Sequence, residues 1–488
     1  MALAYVIVAI ACAAFAGKAV NGPYVDGDLF WQKHLGAYVL AHHRLPAALG
    51  NETFSAPGAP WIPQEWLLGV VTAVAVDHRA LWVLAIAAAA ALAAALCISI
   101  ARAQRIGVTS LSAVTCSILT AVDAQGSFGI RAQVFAWPLF TLLLLLLDLT
   151  GAAIFWVVPL VALWANVHAS AMIAIPIVWL DMLATFYKRG WGSPETLRRV
   201  LLSAIVPFAT LATPLGVKLP LYALALVNSP IRHYIEDWQP VKLAQTFFWW
   251  GAVPMLIAVV LCARSVARER PRDAALIVIF TTMTMLSVRN AALLGFVLMP
   301  VAAFALDLLL RRVAFWKRDL LRSPGPRRLA LGGGAVVAAL AFVVAAQGKG
   351  GAKPWRPALD AFAKLSARGG EQRLFCYDFA VCSPALDFPN LRIYMDGRAD
   401  PYPLSVWDGF NTLRYAKTGW QSVTAAYRIN AFYVKRDDKL DKALAAIGAW
   451  HTIAIAETCC RLYLPGAPPP GASGWWTAHP QRPLWWWN

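Results

Sequence analysis

Long apolar runs recur from the N-terminus to residue 346, broken by short polar stretches. A helix crosses hydrocarbon with about 20 mostly apolar residues, because each backbone polar group must be satisfied within the segment. The runs predict eleven spans, at 3–20, 80–101, 106–122, 132–150, 152–168, 170–187, 199–214, 246–263, 273–288, 290–310 and 328–346. The apolar stretch 65–76 opens Glu65-Trp66-Leu67-Leu68-Gly69, and a span there would upset the alternation of the loops. It is expected as an interfacial helix leading into the second span. The first run lacks the basic segment that opens a signal peptide, so it is expected as a retained helix. Beyond residue 346 the pattern changes. Alternating stretches at Leu391–Met395 and Ala431–Val434 predict strands, and Lys439–Trp450 predicts a helix between segments of sheet. The expected fold is an all-α polytopic membrane bundle of about eleven transmembrane helices over 1–346, with a long first exterior loop at 21–64. A small α/β C-terminal exterior domain follows over 347–488.

Composition supports this reading. The 488 residues are 59% apolar and 14% charged, against roughly 45–50% and about 25% in ordinary soluble domains. That excludes a cytosolic enzyme, a disordered regulator and a small disulfide scaffold. The net charge of +17 invites a nucleic-acid role, but the basic residues lie between apolar runs, and no nucleic-acid partner is expected. Instead they mark alternate loops: Arg102 and Arg105; Lys188, Arg189, Arg198 and Arg199; Arg264, Arg268, Arg270 and Arg272; and the stretch from Arg311 to Arg328. The opposite loops carry fewer: Lys33, Arg44, Arg131, Lys218, Arg232, Lys242 and Arg289. By the positive-inside rule the rich loops are cytoplasmic. The N-terminus is then inside and the C-terminal domain outside, periplasmic if the membrane is a bacterial inner membrane. Four cysteines, Cys376, Cys382, Cys459 and Cys460, fall in that exterior domain, where disulfides are permitted. Cys376 with Cys382 is one pairing, and either of them with Cys459 or Cys460 is another.

Candidate chemistry concentrates at span ends. Asp26 and Asp28 follow the first span, at the start of an amphipathic stretch that contains His34. Carboxylates near hydrocarbon are costly and tend to mark function. The plainer reading makes Asp26 a turn residue and Asp28 the cap of a helix from Leu29. Glu65 begins the interfacial helix, where a first-turn acid is favoured by the macrodipole. Asp123 and Arg131 flank one turn; Trp164-Ala165-Asn166-Val167-His168 ends a span; Glu236-Asp237-Trp238 lies in the second large exterior loop; Arg289-Asn290 separates two spans. Arg131, His168 and Arg289 have the chemistry of a lipid phosphate site, with Asn166 and Asn290 as neutral donors.

Taken in order, these motifs resemble the GT-C glycosyltransferases, which include the protein O-mannosyltransferases and the lipid A aminoarabinose transferase. The matching elements are Asp26, Asp28 and Trp31; Glu65-Trp66-Leu67; Trp164, Asn166 and His168; Arg289-Asn290; and Asp396-Gly397-Arg398 in the tail. One position departs from the pattern: Gln32 stands where a histidine is expected, with His34 two residues on. The resemblance implies a polyprenyl-phosphate-linked sugar donor and a glycan, lipid or protein acceptor on the non-cytoplasmic face. It also implies inversion, with a first-loop aspartate as general base. Asp28 is the first choice for that base and Asp26 the second. The sequence assigns no definite cofactor and leaves metal dependence open: Asp26, Asp28 and Glu65 offer the oxygen ligands that a divalent cation takes.

Other functions stay open at this point. A ligase or polymerase of lipid-linked saccharides needs similar groups but usually a large late loop. A transporter or flippase commonly shows internal repeats and helices broken at the midplane; no repeat is seen in this sequence, and its polar residues cluster at span ends. A non-catalytic relative of the same fold is a further alternative. No P-loop, dinucleotide fingerprint, zinc-protease helix or nucleophile elbow is present.

Overall fold

The computed structural model describes Val6, Ala13 and residues 27–227, 229–312, 356–453 and 459–466. The expected spans 3–20 and 328–346, Asp26 and the tryptophan-rich tail lie outside the described residues. The chain forms two compact units, one made of 1–24 with 82–349 and the other of 25–81 with 350–488.

In the first unit a helix forms at each of the nine described runs. They are α3 (Leu81–Ile106), α4 (Ser110–Ala124), α5 (Ala132–Leu147), α6 (Val157–Val167), α7 (Ala174–Arg189), α8 (Pro194–Ala209), α10 (Thr246–Leu261), α12 (Pro271–Leu286) and α13 (Ala291–Arg312). Two further helices, α9 (Lys218–Val227) and α11 (Ala263–Glu269), join them. Three segments are long and apolar enough to cross a bilayer: Leu81–Ile106, Ala169–Arg189 and Val288–Arg311. A fourth, α10 with α11, is bent by 82° at its break. The expected count of eleven is therefore not reached on length and composition among the described residues. The apolar helices Ala132–Leu147, Gly151–Val167 and Lys218–Val227 are shorter. Large apolar side chains face outward, among them Trp156, Phe208, Val260 and Val278. An outward surface of that kind suits lipid as solvent, and with the apolar helices it marks a multi-pass membrane protein.

The second unit is built on a five-stranded sheet. Its strands are β1 (Gln372–Cys376), β2 (Leu391–Ile393), β3 (Ala431–Lys435), β4 (Trp450–Ile453) and β5 (Cys460–Pro465), in the order β2-β1-β3-β5-β4. The first three run parallel, while β5 is antiparallel to both β3 and β4. The strands expected at 391 and 431 are present, and the expected helix forms at Lys439–Ile447. Cys376 and Cys382 are bonded, whereas Cys459 and Cys460 are free thiols.

The first loop belongs to this second unit. It carries α1 (Asp28–His42) and α2 (Trp66–Asp77), which meet backbone to backbone: a Cβ on Gly36 would sit 2.0 Å from the Gly69 carbonyl oxygen. Between the two helices, residues 52–54 run alongside β2. Phe54 N donates to Ile393 O at 3.0 Å, and Ile393 N donates to Glu52 O at 2.9 Å. The loop thus covers the edge of β2, whose free backbone groups would otherwise face solvent. Lys33 Nζ reaches Asp387 Oδ1 at 2.7 Å and adds a second tie to the tail.

Candidate active site

Two polar constellations stand out, one in each unit. In the second unit, Asp28 occupies the first turn of α1. It does not cap the helix. Gly27 holds the N-cap position in right-handed helical geometry, with no side-chain bond to the backbone. Asp28 Oδ1 instead accepts from Trp31 Nε1 at 3.0 Å. The spacing of three residues puts both side chains on one helix face, so this partner was open to sequence reasoning. Glu65 holds the N-cap position of α2 and is buried, with its carboxylate engaged on both oxygens. Gln32 Nε2 donates to Oε2 at 2.8 Å and Gln64 Nε2 to Oε1 at 2.9 Å. The departure at Gln32 therefore has a structural role: a fully buried amide binds the Glu65 carboxylate. His34 does not take that place. Its ring is largely exposed, and Nε2 lies 3.3 Å from Asp387 Oδ1.

Close to Asp28 lies the tail element Asp396-Gly397-Arg398. Arg398 is buried and grips Asp396 through both carboxylate oxygens, with Nη2 to Oδ2 at 2.7 Å and Nε to Oδ1 at 3.0 Å. Its Nη1 donates to Glu52 Oε1 at 3.0 Å, and the guanidinium lies 5.0 Å over the Trp61 ring. Although burial acts against the charged form, Asp396 holds the Arg398 guanidinium above its ordinary value. Burial also raises the Tyr402 phenol, with the Asp396 carboxylate adding to the effect.

In the first unit, Arg289 lies in the 3₁₀ turn Val288–Asn290 that leads into α13. Its Nε donates to Gln133 Oε1 at 2.9 Å, and its guanidinium lies 5.8 Å from the Trp238 ring centre. His168 follows α6. Its Nδ1 accepts from the backbone N–H of Ser170 at 3.0 Å, which places the proton of the neutral ring on Nε2. Nε2 is 3.5 Å from Arg289 Nη2. Two N–H donors that close do not serve each other; they suit a shared acceptor. Arg131 Nη1 meets Asp237 Oδ2 at 3.1 Å, so both arginines touch the turn Glu236–Trp238, one through Asp237 and the other through Trp238. Gln133 and Ser170 carry no motif that would have singled them out, whereas Trp238 belongs to the Glu236-Asp237-Trp238 stretch noted in the sequence. The side-chain amides of Asn166 and Asn290 donate to backbone carbonyls: Asn166 Nδ2 to those of Ala162 and Ala212, and Asn290 Nδ2 to those of Met283 and Ser287. Asp123, grouped with Arg131 by sequence, is fully buried in α4 rather than paired with it. Among the described residues, no group of three or more His, Cys, Asp or Glu side chains is arranged to hold a metal ion.

No protein-family model matches the sequence, and no curated protein sequence matches it either. Solved structures do. The chain is similar to the archaeal oligosaccharyltransferase AglB from Archaeoglobus fulgidus in complex with an inhibitory peptide and a dolichol-phosphate. That match has TM-score 0.53 and 12% identity, and covers 89% of this chain and 69% of the other. It is also similar to ArnT from Cupriavidus metallidurans bound to undecaprenyl phosphate, with TM-score 0.52, 15% identity, and coverage of 94% and 97%. Both are GT-C superfamily glycosyltransferases, and at these identities the likeness is one of fold. The chain therefore has the GT-C fold.

Proposed function

We propose that the protein is an integral membrane glycosyltransferase that moves a sugar from a polyprenyl-phosphate-linked donor to an acceptor hydroxyl, with inversion. The observation that carries the reading is the pair of N–H donors on Arg289 and His168, 3.5 Å apart. They occur in a fold whose solved neighbours hold dolichol-phosphate and undecaprenyl phosphate. In this reading Arg289, with Arg131 and His168, binds the donor phosphate, and Asp28 is the general base. Asp28 takes the acceptor O–H proton as the acceptor oxygen bonds to the anomeric carbon. The bond from that carbon to the phosphate oxygen breaks from the opposite side, and polyprenyl phosphate leaves with one more negative charge than the donor phosphodiester carried. Fixed cations stabilise that charge without reorganising. Hydrogen bonding from Trp31 holds the carboxylate in one orientation, as proton abstraction requires. Asp26 is the second choice for the base. The acceptor is a glycan, lipid or protein, and the site of action is the exterior face of a bacterial inner membrane, with the N-terminus cytoplasmic.

The test is sugar transfer in nanodiscs from a panel of undecaprenyl-phosphate-linked hexoses, comparing wild type with Asp28→Asn and Asp26→Asn. Loss of a general base costs about 10²–10⁴ in rate, so transfer should fall by that factor in Asp28→Asn. Equal transfer in wild type and Asp28→Asn would remove Asp28 from the base role.

A further inference from the structure

The reading of Asp28 as base leaves open what keeps its carboxylate in place, since a short side chain in a first helical turn has several rotamers. Trp31 Nε1 holds Oδ1 from one side at 3.0 Å. Gly397 lies against the same oxygen. A Cβ built on Gly397 would lie 2.7 Å from Asp28 Oδ1, and 3.4 Å from both Cδ1 and Nε1 of Trp31. Gly397 is not one of the chain's positive-φ glycines, so backbone conformation does not demand glycine here. Close approach does.

The turn that carries Gly397 is fixed on both flanks. Arg398 is bound to Asp396 and Glu52, and its own backbone N–H donates to Asp396 Oδ1 at 3.0 Å. Asp396 N donates to the Tyr402 hydroxyl at 3.2 Å, and Gly397 N to Ser383 Oγ at 3.4 Å. The guanidinium of Arg398 lies on Trp61, and Trp61 meets Trp31 edge-on with ring centres 6.1 Å apart. A continuous chain of contacts therefore runs from Arg398 through Trp61 and Trp31 to Asp28. A buried ion pair is poor evidence for stability in itself, but it can specify a local geometry.

We propose that the Asp396-Gly397-Arg398 turn is a positioning element for Asp28: its two charged residues fix the turn, and its glycine admits the one carboxylate orientation that keeps the Trp31 bond. The proposal rests on the base reading of Asp28. Among the described residues, the atom nearest a new methyl group at position 397, beyond its chain neighbours, is Asp28 Oδ1 at the end of a side chain. Gly397→Ala therefore turns the carboxylate rather than breaking the fold.

The experiment uses the full chain in nanodiscs. Asp28 is labelled with a carbodiimide and glycine ethyl ester and read by peptide mass spectrometry, alongside kinetics and melting. In Gly397→Ala, labelling of Asp28 should change at least threefold while the melting temperature holds. A misplacement near 1 Å costs about a hundredfold in rate, so kcat should fall by that order with donor KM within twofold. Trp31→Phe, which keeps Gly397 but removes the donor to Asp28, should change the labelling in the same direction. Wild-type labelling and kcat in Gly397→Ala would overturn the proposal. So would misfolding of Gly397→Ala combined with unchanged Asp28 labelling in Trp31→Phe, since the glycine would then serve packing alone. If Asp28→Asn transfers sugar like wild type, the base reading fails, while the labelling comparison still decides whether the turn orients Asp28.

Discussion

Replacing Arg272 by glutamine should destabilise the bundle far more than the same change at Arg131, although both arginines are paired with aspartate. Arg272 is buried at the start of α12. Its Nη1 donates to Asp181 Oδ1 at 2.9 Å, its Nη2 to Asp273 Oδ1 at 2.9 Å and also to Asp148 Oδ1. Two more arginines share those carboxylates. Arg102 Nε reaches Asp148 Oδ2 at 2.8 Å, and Arg199 Nε reaches Asp181 Oδ2 at 2.8 Å. Without Arg272, the acids Asp148, Asp181, Asp273 and Glu195 keep Arg102, Arg199 and the more exposed Arg198, and one negative charge is uncompensated. Removing one partner of a buried pair costs about 3–5 kcal/mol. The lower end applies, because Arg102 and Arg199 stay. Arg131 and Asp237 are a surface pair, with side chains 33% and 53% exposed, and such pairs contribute at most about 1 kcal/mol. The assay is the monomer fraction surviving a heating series, measured by size-exclusion chromatography in detergent. At roughly 2–4 °C per kcal/mol, the Arg272→Gln midpoint should fall by about 6 °C or more, against about 4 °C at most for Arg131→Gln. Adding Asp181→Asn to Arg272→Gln removes the surplus charge and should restore part of the loss. Equal midpoints for the two single variants would refute the network as a stabilising unit.

Two further outcomes test other parts of the structure. Arg289→Gln removes a charge-assisted donor worth about 1.5–3 kcal/mol to a bound anion, so the KM for an undecaprenyl-phosphate-linked hexose should rise roughly tenfold or more at an unchanged melting temperature; an unchanged KM would remove Arg289 from phosphate binding. Burial pushes the Cys460 thiol up to about 12, whereas its neighbour Cys459 is exposed. In folded protein at pH 8, iodoacetamide should modify Cys459 at least a hundredfold faster, because only about one Cys460 in ten thousand is thiolate at that pH; equal rates by peptide mass spectrometry would contradict the burial of Cys460.

The apolar runs were legible because their cause is local: hydrocarbon imposes the same demand on each stretch of chain, and a helix answers it at each of the nine described positions. Strands at 391 and 431 were legible from alternation for the same reason. The pairing of residues 52–54 with Ile393 carries no local signature, since the partners lie some 340 positions apart, and so the first loop could not be assigned to the sheet domain in advance. Asp28 illustrates a different failure. Its position beside Gly27 predicts a cap, but Gly27 adopts helical geometry, and the helix begins one residue early. The carboxylate is thereby released from capping and bound by Trp31 instead. At Gln32 the sequence shows only a departure from a motif; the structure supplies the reason, which is the Glu65 carboxylate it binds.

The basic residues show why a census of charge is weaker evidence than their placement. The positive-inside count treats each arginine as a solvated charge near a headgroup. Arg102, Arg199 and Arg272 do not meet that description, since each is neutralised inside the bundle by Asp148, Asp181 or Asp273. Nothing local marks those aspartates, which lie on different helices far apart in sequence. The opposite loops lose charge in the same way, through Lys33 with Asp387 and Arg131 with Asp237. Pairing subtracts from both sides, so the basic excess keeps its sign and the proposed orientation keeps its basis. What changes is the meaning of the individual residues. A buried network of paired charges fixes how helices pack, while Arg289 is held on one edge by Gln133 and has the His168 ring beside it. The same guanidinium serves structure when carboxylates surround it, and the proposed phosphate site uses one that has another donor next to it. That difference in partners, more than the arginine itself, separates the candidate phosphate site from the rest of the bundle.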